Sequence, residues 1–210
     1  MLALVTPAAD RNLLAIEDLR AAAGLLSGDS SQDPALNKLG LRVSDRIAQE
    51  CSVAPAGIAS PTLKQEIVAQ TFRLSCAVSM LILARRFVSS VTSVIAGGEA
   101  VDVSAFELDA GAGLLRRICG VRAGLWQPAT IVVTYVAGFQ IVPDDLALAA
   151  STAVQEQWSA ANRDPLLKRD RVDDLGDQEF WVGGIGGATG SSFSPTVQAL
   201  LDPYRTLWAA

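Results

Sequence analysis

Ile131-Val132-Val133-Thr134-Tyr135-Val136-Ala137-Gly138-Phe139-Gln140-Ile141-Val142-Pro143-Asp144-Asp145-Leu146 is the stretch that decides the fold. Its first six residues are β-branched or aromatic, the composition of a strand. Gly138 breaks the run, and Pro143 cannot continue a strand. Asp144 and Asp145 then stand where a helix favours acidic first-turn residues, because the exposed amide ends of the helix carry partial positive charge. A strand therefore hands over to a helix within a few residues. Leu146, Ala149, Ala150, Ala153, Val154 and Trp158 recur at one helical face, so the helix runs from Asp144 to about Ala161, and Asp164-Pro165 ends it. The stretch is a structural signature and holds no catalytic group.

Upstream of it the chain reads as short strands. These are Glu66–Ser75, Met80–Val88, Val91–Ala96, Ala100–Val103, Phe106–Asp109, Leu114–Ile118 and Ala129–Val136, with a hairpin turn at Gly97-Gly98 and another around Gly111 and Gly113. About six strands with turns between neighbours predict an antiparallel sheet or small barrel. Before them lie two helical segments. Residues 11–25 place Leu13, Ile16, Leu19, Ala22 and Ala23 at helical spacing. Asp33 reads as an N-cap with Pro34 at the first helical position, opening a helix to about Glu50 whose apolar face is Leu36, Leu39, Val43 and Ile47 and whose other face carries Lys38, Arg42, Asp45, Arg46 and Gln49. Downstream, residues 163–194 are Gly-rich and of mixed charge, and a last short helix spans about Pro195–Leu207.

The expected fold is α+β: a helical bundle from the N- and C-terminal parts, an inserted antiparallel β-sheet domain and an extended C-terminal arm. The boundaries are 1–61 for the N-terminal helices, 62–137 for the β domain, 138–162 for the long helix, and 163–210 for the arm and short helix.

Composition narrows the function. Of 210 residues half are apolar and 19% charged, enough to bury a core. The net charge of −5 argues against non-specific binding to a nucleic-acid backbone, which needs clustered Lys and Arg. There is no histidine, so Ser-His and Cys-His nucleophile pairs, His metal sites and His general bases are excluded. Cys51, Cys76 and Cys119 are scattered without zinc spacing and read as reduced small hydrophobes. No apolar run reaches the length of a membrane span, and the first residues lack the basic start of a secretory signal. No cofactor, metal or membrane is expected.

The remaining candidate sites have plain structural readings. Gly183-Gly184-Ile185-Gly186-Gly187-Ala188-Thr189-Gly190 lacks the Lys and the βαβ setting of a phosphate loop and reads as a flexible joint. Asp144 and Asp145 are neighbours and face different ways on a helix, so they are helix-start residues rather than an acid/base pair. Asp173, Asp174, Asp177 and Glu179 lack EF-hand spacing. Arg85-Arg86 and Arg116-Arg117 read as exposed strand positions, and Trp158 as core. Arg163, Lys168, Arg169 and Arg171 form a basic cluster able to dock on an acidic partner. Phe180 and Trp181, in the strand-like Glu179-Phe180-Trp181-Val182, and Tyr204 and Trp208 are aromatic anchors for such docking.

Taken in order, several of these pieces resemble the head–tail connector, or adaptor, proteins of tailed bacteriophages and gene transfer agents. They are the Ile16-Glu17-Asp18-Leu19-Arg20-Ala21-Ala22 helix, the Glu66-to-Leu74 strand, and Arg86-Phe87-Val88 leading into Val91-Thr92-Ser93-Val94. Phe106-Glu107-Leu108-Asp109, Gly113-Leu114-Leu115 and Ile131–Leu146 follow. Glu156-Gln157-Trp158, Arg163-Asp164-Pro165-Leu166-Leu167 and Leu200-Leu201-Asp202-Pro203-Tyr204-Arg205 close the series. The resemblance spans nearly the whole chain.

It implies a non-enzymatic virion structural protein at the head–tail interface, made in the host bacterial cytoplasm. Its partners would be the portal protein, a stopper or tail-completion protein and its own copies, usually twelve, in a ring below the portal. DNA would pass through the lumen without specific binding. Residues from about Arg163 to Ala210 would be the portal-docking arm, jointed at the Gly-rich stretch. The alternatives are a stopper or tail-terminator protein, a carboxylate-based enzyme, and an unrelated binding module.

Overall fold

The computed structural model describes residues 1–120, 122–161, 169–172, 176–179 and 193–206, the second-last and third-last of these segments by their backbone. The chain divides into a β unit, Met1–Arg11 with Cys51–Val142 and Arg205–Ala210, and a helical unit, Asn12–Glu50 with Pro143–Tyr204.

The β unit contains two antiparallel sheets. The larger has the strand order β1-β2-β9-β4-β5, from β1 (Leu2–Thr6), β2 (Glu66–Arg73), β9 (Thr130–Ala137), β4 (Val88–Ala96) and β5 (Glu99–Ala100). The smaller runs β3 (Met80–Ile82), β7 (Leu114–Cys119), β6 (Phe106–Asp109), with β8 (Arg122–Ala123) folding back on β7. Strand β9 is the first half of the deciding stretch. It pairs with β2 over eight positions, from Glu66 opposite Ala137 to Arg73 opposite Thr130. Ile131, Val133, Tyr135 and Ala137 are buried, and the residues between them are not, as an alternating strand requires. These side chains meet Val68, Val94, Leu81, Leu115 and Trp126 in one apolar cluster supplied by both sheets. Each such side chain contributes about 1.5–3 kcal/mol by leaving water.

Expectations about strands change at several points; the strand expected over Ala100–Val103 ends at Ala100, and Val103–Ala105 form a 3-10 turn. Strand β1 was not anticipated: Leu2-Ala3-Leu4-Val5-Thr6 carries too few residues to show a period, yet it pairs with β2, and the terminal ammonium of Met1 donates to the Thr71 carbonyl at 3.0 Å. The strand expected over Met80–Val88 stops at Ile82, because Leu83 to Phe87 leave the sheet to satisfy a buried polar cluster described below. The Gly97-Gly98 hairpin forms, with both residues in the left-handed region (φ 61° and 94°). Strand β4 carries two register shifts against β9, between Val88 and Ser90 and between Val91 and Ser93, which bend it.

The helical unit packs α1 (Ile16–Ala22), α2 (Asp33–Glu50), α3 (Asp144–Ala161) and α4 (Pro195–Leu201). α2 and α3 match the expected bounds, and their buried faces are Leu36, Val43 and Ile47 in α2 and Leu146, Ala149, Ala150, Ala153 and Val154 in α3. α1 is shorter than residues 11–25, since Leu13 and Leu14 are buried ahead of it in non-helical backbone, where the Leu13 amide donates to the Ser44 hydroxyl at 3.0 Å. The Arg20 guanidinium donates to both carboxylate oxygens of Asp33, at 2.8 and 2.5 Å, and so joins the end of α1 to the start of α2. That contact holds the Asp33 carboxyl below the usual range. α1 can approach α2 closely because residue 40 is glycine: a Cβ there would lie 2.6 Å from Asn12 Oδ1 and 2.9 Å from Leu19 Cδ2. α4 is capped by Ser194, whose Oγ accepts from the Val197 amide, and Pro195 opens it. Val197 and Leu201 are fully buried, so α4 belongs to the packed helical unit. β10 (Arg169–Val172) and β11 (Gly176–Glu179) form a two-stranded antiparallel hairpin of their own.

The handover itself rests on Gly138. Its φ is +91°, and a Cβ would stand 2.4 Å from the Lys64 carbonyl oxygen and 2.8 Å from that of Leu63. Its amide donates to the Phe87 carbonyl, and the next residue, Phe139, exchanges backbone bonds with Leu63 and Gln65. The chain therefore leaves β9 pressed against backbone with no room for a side chain. Gly138→Ala is expected to destabilise the protein by about 3 kcal/mol in urea unfolding. Gly98→Ala, at a similar φ of +94° but with nothing within 4 Å, is expected to cost about 1 kcal/mol.

Candidate functional site

The residues read as docking anchors fall in different settings. Arg163, Lys168, Phe180, Trp181 and Trp208 lie outside the described residues, as does the Gly-rich 183–190 stretch. Arg169 and Arg171 are on β10, in register with Glu179 and Asp177 of β11. Tyr204 is buried in the helical unit, 7% exposed, and its hydroxyl donates to the Asp145 carboxylate. Its ring is thus committed to the chain's own packing. Asp145 also accepts from the Leu146 amide at 2.9 Å, the helix-start role expected of it.

The concentration of buried polar chemistry lies in the β unit and was not anticipated. Glu66 and Arg85 form an ion pair, Nη1 to Oε2 at 2.6 Å, with both side chains 3% exposed. The Arg85 Nε donates to the Ala54 carbonyl at 3.0 Å. Its backbone amide donates to the Tyr135 hydroxyl at 3.3 Å, and that hydroxyl donates to Gln70 Oε1 at 3.0 Å. Gln70 also accepts from the Ala84 amide at 2.7 Å and donates to the Ile82 carbonyl at 3.3 Å. The other Glu66 oxygen accepts from the Ala8 amide at 3.4 Å. Arg85 is therefore a buried inter-strand residue and not the exposed strand cation expected from the Arg85-Arg86 doublet. Arg86 is half-buried and also outside any strand, over the Phe87 ring, donating to the carbonyls of Gly111 and Arg205.

The sequence carried a signal for this cluster. Glu66 and Gln70 alternate with Val68 on β2, so period two puts all three on the buried face. A carboxylate and an amide facing a core need partners, and Arg85 and Tyr135 are the residues able to supply them. What the arrangement does chemically is hold backbone: it ties the segments around Ala8, Ala54 and Ile82–Arg85 to β2 and β9. Both charges are sealed from solvent, which leaves a substrate no route to them.

An open groove of about 400 Å³ in the same unit is lined by Arg117, Cys119, Leu125, Trp126, Gln127 and Ile131 among others. Arg117 lies over the Trp126 ring, 5.3 Å from its centroid, and the indole N–H donates to the Leu115 carbonyl. The groove has one cation and no carboxylate, so it offers no acid/base pair. Among the described residues no group of three or more Cys, Asp or Glu side chains could hold a metal ion. Among the same residues, no helix is long and apolar enough to cross a membrane.

Two measurements test the polar cluster. Arg85→Met leaves the Glu66 carboxylate buried without its partner and is expected to cost about 3–5 kcal/mol in urea unfolding, while Glu66→Met with Arg85→Met costs clearly less than Arg85→Met alone. Burial pushes the Tyr135 phenol up to about 12, against a partial opposing pull from Arg85. The unfolded phenol ionises first, near 10.0, so the Tyr135 contribution is intact below that pH and is lost as the pH rises to about 12. Wild type is expected to lose stability over this window with a component of up to about 1.4 kcal/mol per pH unit that Tyr135→Phe lacks.

No protein-family model matches the chain, and no curated protein matches it. Solved structures do. A chain from the neck of an empty gene transfer agent particle, computed with C6 symmetry, superposes with a TM-score of 0.60 at 17% identity, covering 100% of this chain and 97% of that one. A chain from the virion of a native gene transfer agent particle gives the same values. A chain from a native particle neck computed with C12 symmetry gives a TM-score of 0.53 at 17% identity over the same extents. Over its full length, this chain shares the fold of chains built into gene transfer agent particle necks.

Proposed function

We propose that this chain is a structural protein of the neck of a phage-like particle, and within the neck the adaptor. In that role it forms a homo-oligomeric ring below the portal, extends the DNA channel and receives the stopper or tail-completion protein. The observation that carries the reading is the end-to-end likeness, 100% of this chain against 97% of the other, to a chain from a particle neck. The likeness therefore takes in both the β unit and the helical unit and is not confined to one of them.

The physical chemistry supports the same reading. The two 18-residue helices α2 and α3 give the helical unit a rigid body, which favours an adaptor over a stopper. A chain of net charge −5 without histidine repels the DNA backbone, which helps DNA slide through a channel rather than adhere. Residues 163–192, with the basic positions Arg163, Lys168, Arg169 and Arg171 and the aromatic positions Phe180 and Trp181, are the portal-docking segment in this reading, with Trp208 beyond α4. α4 is left out of that segment because Val197 and Leu201 are core residues.

The test is replacement of residues 163–192 by a Gly/Ser linker of equal length. The variant is expected to keep the far-ultraviolet circular dichroism of a folded protein and to be lost from purified particles, read by mass spectrometry and electron microscopy of their necks. Incorporation at the wild-type level would sink the docking assignment. Wild-type protein missing from the necks altogether would sink the neck reading itself.

A further inference from the structure

The outward faces of α2 and α3 are opposite in charge. On α2, Lys38 and Arg42 are exposed one turn apart and flank Leu41, an exposed apolar side chain (38%). Arg46 continues the stripe one turn further, beside the half-buried Asp45. On α3, Asp144, Leu148, Thr152 and Glu156 stand at successive turns of one stripe, and Leu148 is 55% exposed between the two acids. α3 contains no Lys or Arg in its 18 residues. Among the described residues, Lys38 and Arg42 make no ion pair, and neither do Asp144 and Glu156. Each helix thus presents an exposed leucine bracketed by charges of one sign, and the signs are complementary.

Resting on the reading of the chain as a ring-forming neck protein, we infer that the α2 stripe of one copy seats on the α3 stripe of the next, Leu41 against Leu148, with Lys38 and Arg42 facing Asp144 and Glu156. A closed ring needs heterologous contacts, in which one patch meets a different patch on the neighbour. Complementary patches on two helices of the same chain meet that need without any other partner. Both helices face their own core with their remaining sides, so the contact forms without repacking either one. Opposed charges around a small apolar centre steer the encounter and fix its register, and they make the contact salt-sensitive.

Charge reversal on each face, followed by mixing, tests this. One variant carries Lys38→Glu with Arg42→Glu; the other carries Asp144→Lys with Glu156→Lys. Circular dichroism and thermal unfolding establish that both fold. Sedimentation of the full-length chain at up to about millimolar concentration then reads association. Each variant alone is expected to associate at least about tenfold more weakly than wild type, since like charges now meet across every contact. An equimolar mixture is expected to recover association, because the reversed α2 of one variant complements the reversed α3 of the other, the two unaltered faces complement each other as in wild type, and copies alternate around the ring. Folded variants that associate as wild type, a mixture no better than its components, or a wild type monomeric throughout would each overturn the inference. So would a Lys38→Glu, Arg42→Glu variant that assembles normally and loses only its retention on duplex DNA. The neck reading is judged separately, by the presence of the protein in particle necks.

Discussion

The buried ion pair of Glu66 and Arg85 is the contact on which the β unit depends. Burying two charges costs several kcal/mol each, and the attraction between them returns that cost only when geometry and hydrogen bonding are both good. Here the pair meets at 2.6 Å, and a second Arg85 nitrogen reaches the Ala54 carbonyl. Gln70 and Tyr135 complete the arrangement by binding the amides of Ala84 and Arg85. The short segment after β3 therefore has to run across the inner face of the larger sheet. That path ends Met80–Ile82 early and delivers the chain into β4 at Val88. An apolar pair in place of Glu66 and Arg85 would remove the side-chain partners of the Ala54 carbonyl and the Ala8 amide.

How much of this was legible in sequence varies with the physical origin of each element. The helices α2 and α3 were legible to within a residue or so because their apolar faces repeat over four or five turns and their starts carry Asp33-Pro34 and Pro143-Asp144. The Gly97-Gly98 hairpin and strand β9 were legible from turn chemistry and β-branched composition. Strand β1 was not, since five residues show no period and its partner lies over sixty residues away. The buried cluster was half legible: the inward positions of Glu66 and Gln70 follow from alternation, whereas Arg85 lies outside any strand and only the fold brings it to Glu66. Tyr204, at a short terminal helix, looks like an exposed anchor in sequence. The Asp145 carboxylate that holds its hydroxyl is 59 residues away and could not be foreseen from local pattern.

Charge is distributed in the chain by use. Where it is buried it is paired and serves to hold backbone, and where it is exposed on α2 and α3 it is sorted by helix. The apolar groove with Arg117 over Trp126 sits between these extremes, a cation kept against an aromatic face with its stem covering apolar surface.

The strand order β1-β2-β9-β4-β5 has a consequence for how the chain comes into being. Its central strand, β9, is the last of the five to be synthesised, and both β2 and β4 hydrogen-bond to it. Until residue 137 has left the ribosome, β1 with β2 and β4 with β5 can exist only as separate two-stranded pieces, which are marginal in water. The helical unit waits in the same way, because its two parts, Asn12–Glu50 and Pro143–Tyr204, are separated in the chain by Cys51–Val142 of the β unit. Neither unit can close its core until most of the polypeptide is made, so the interleaving ties the folding of both units to the synthesis of the later half of the chain.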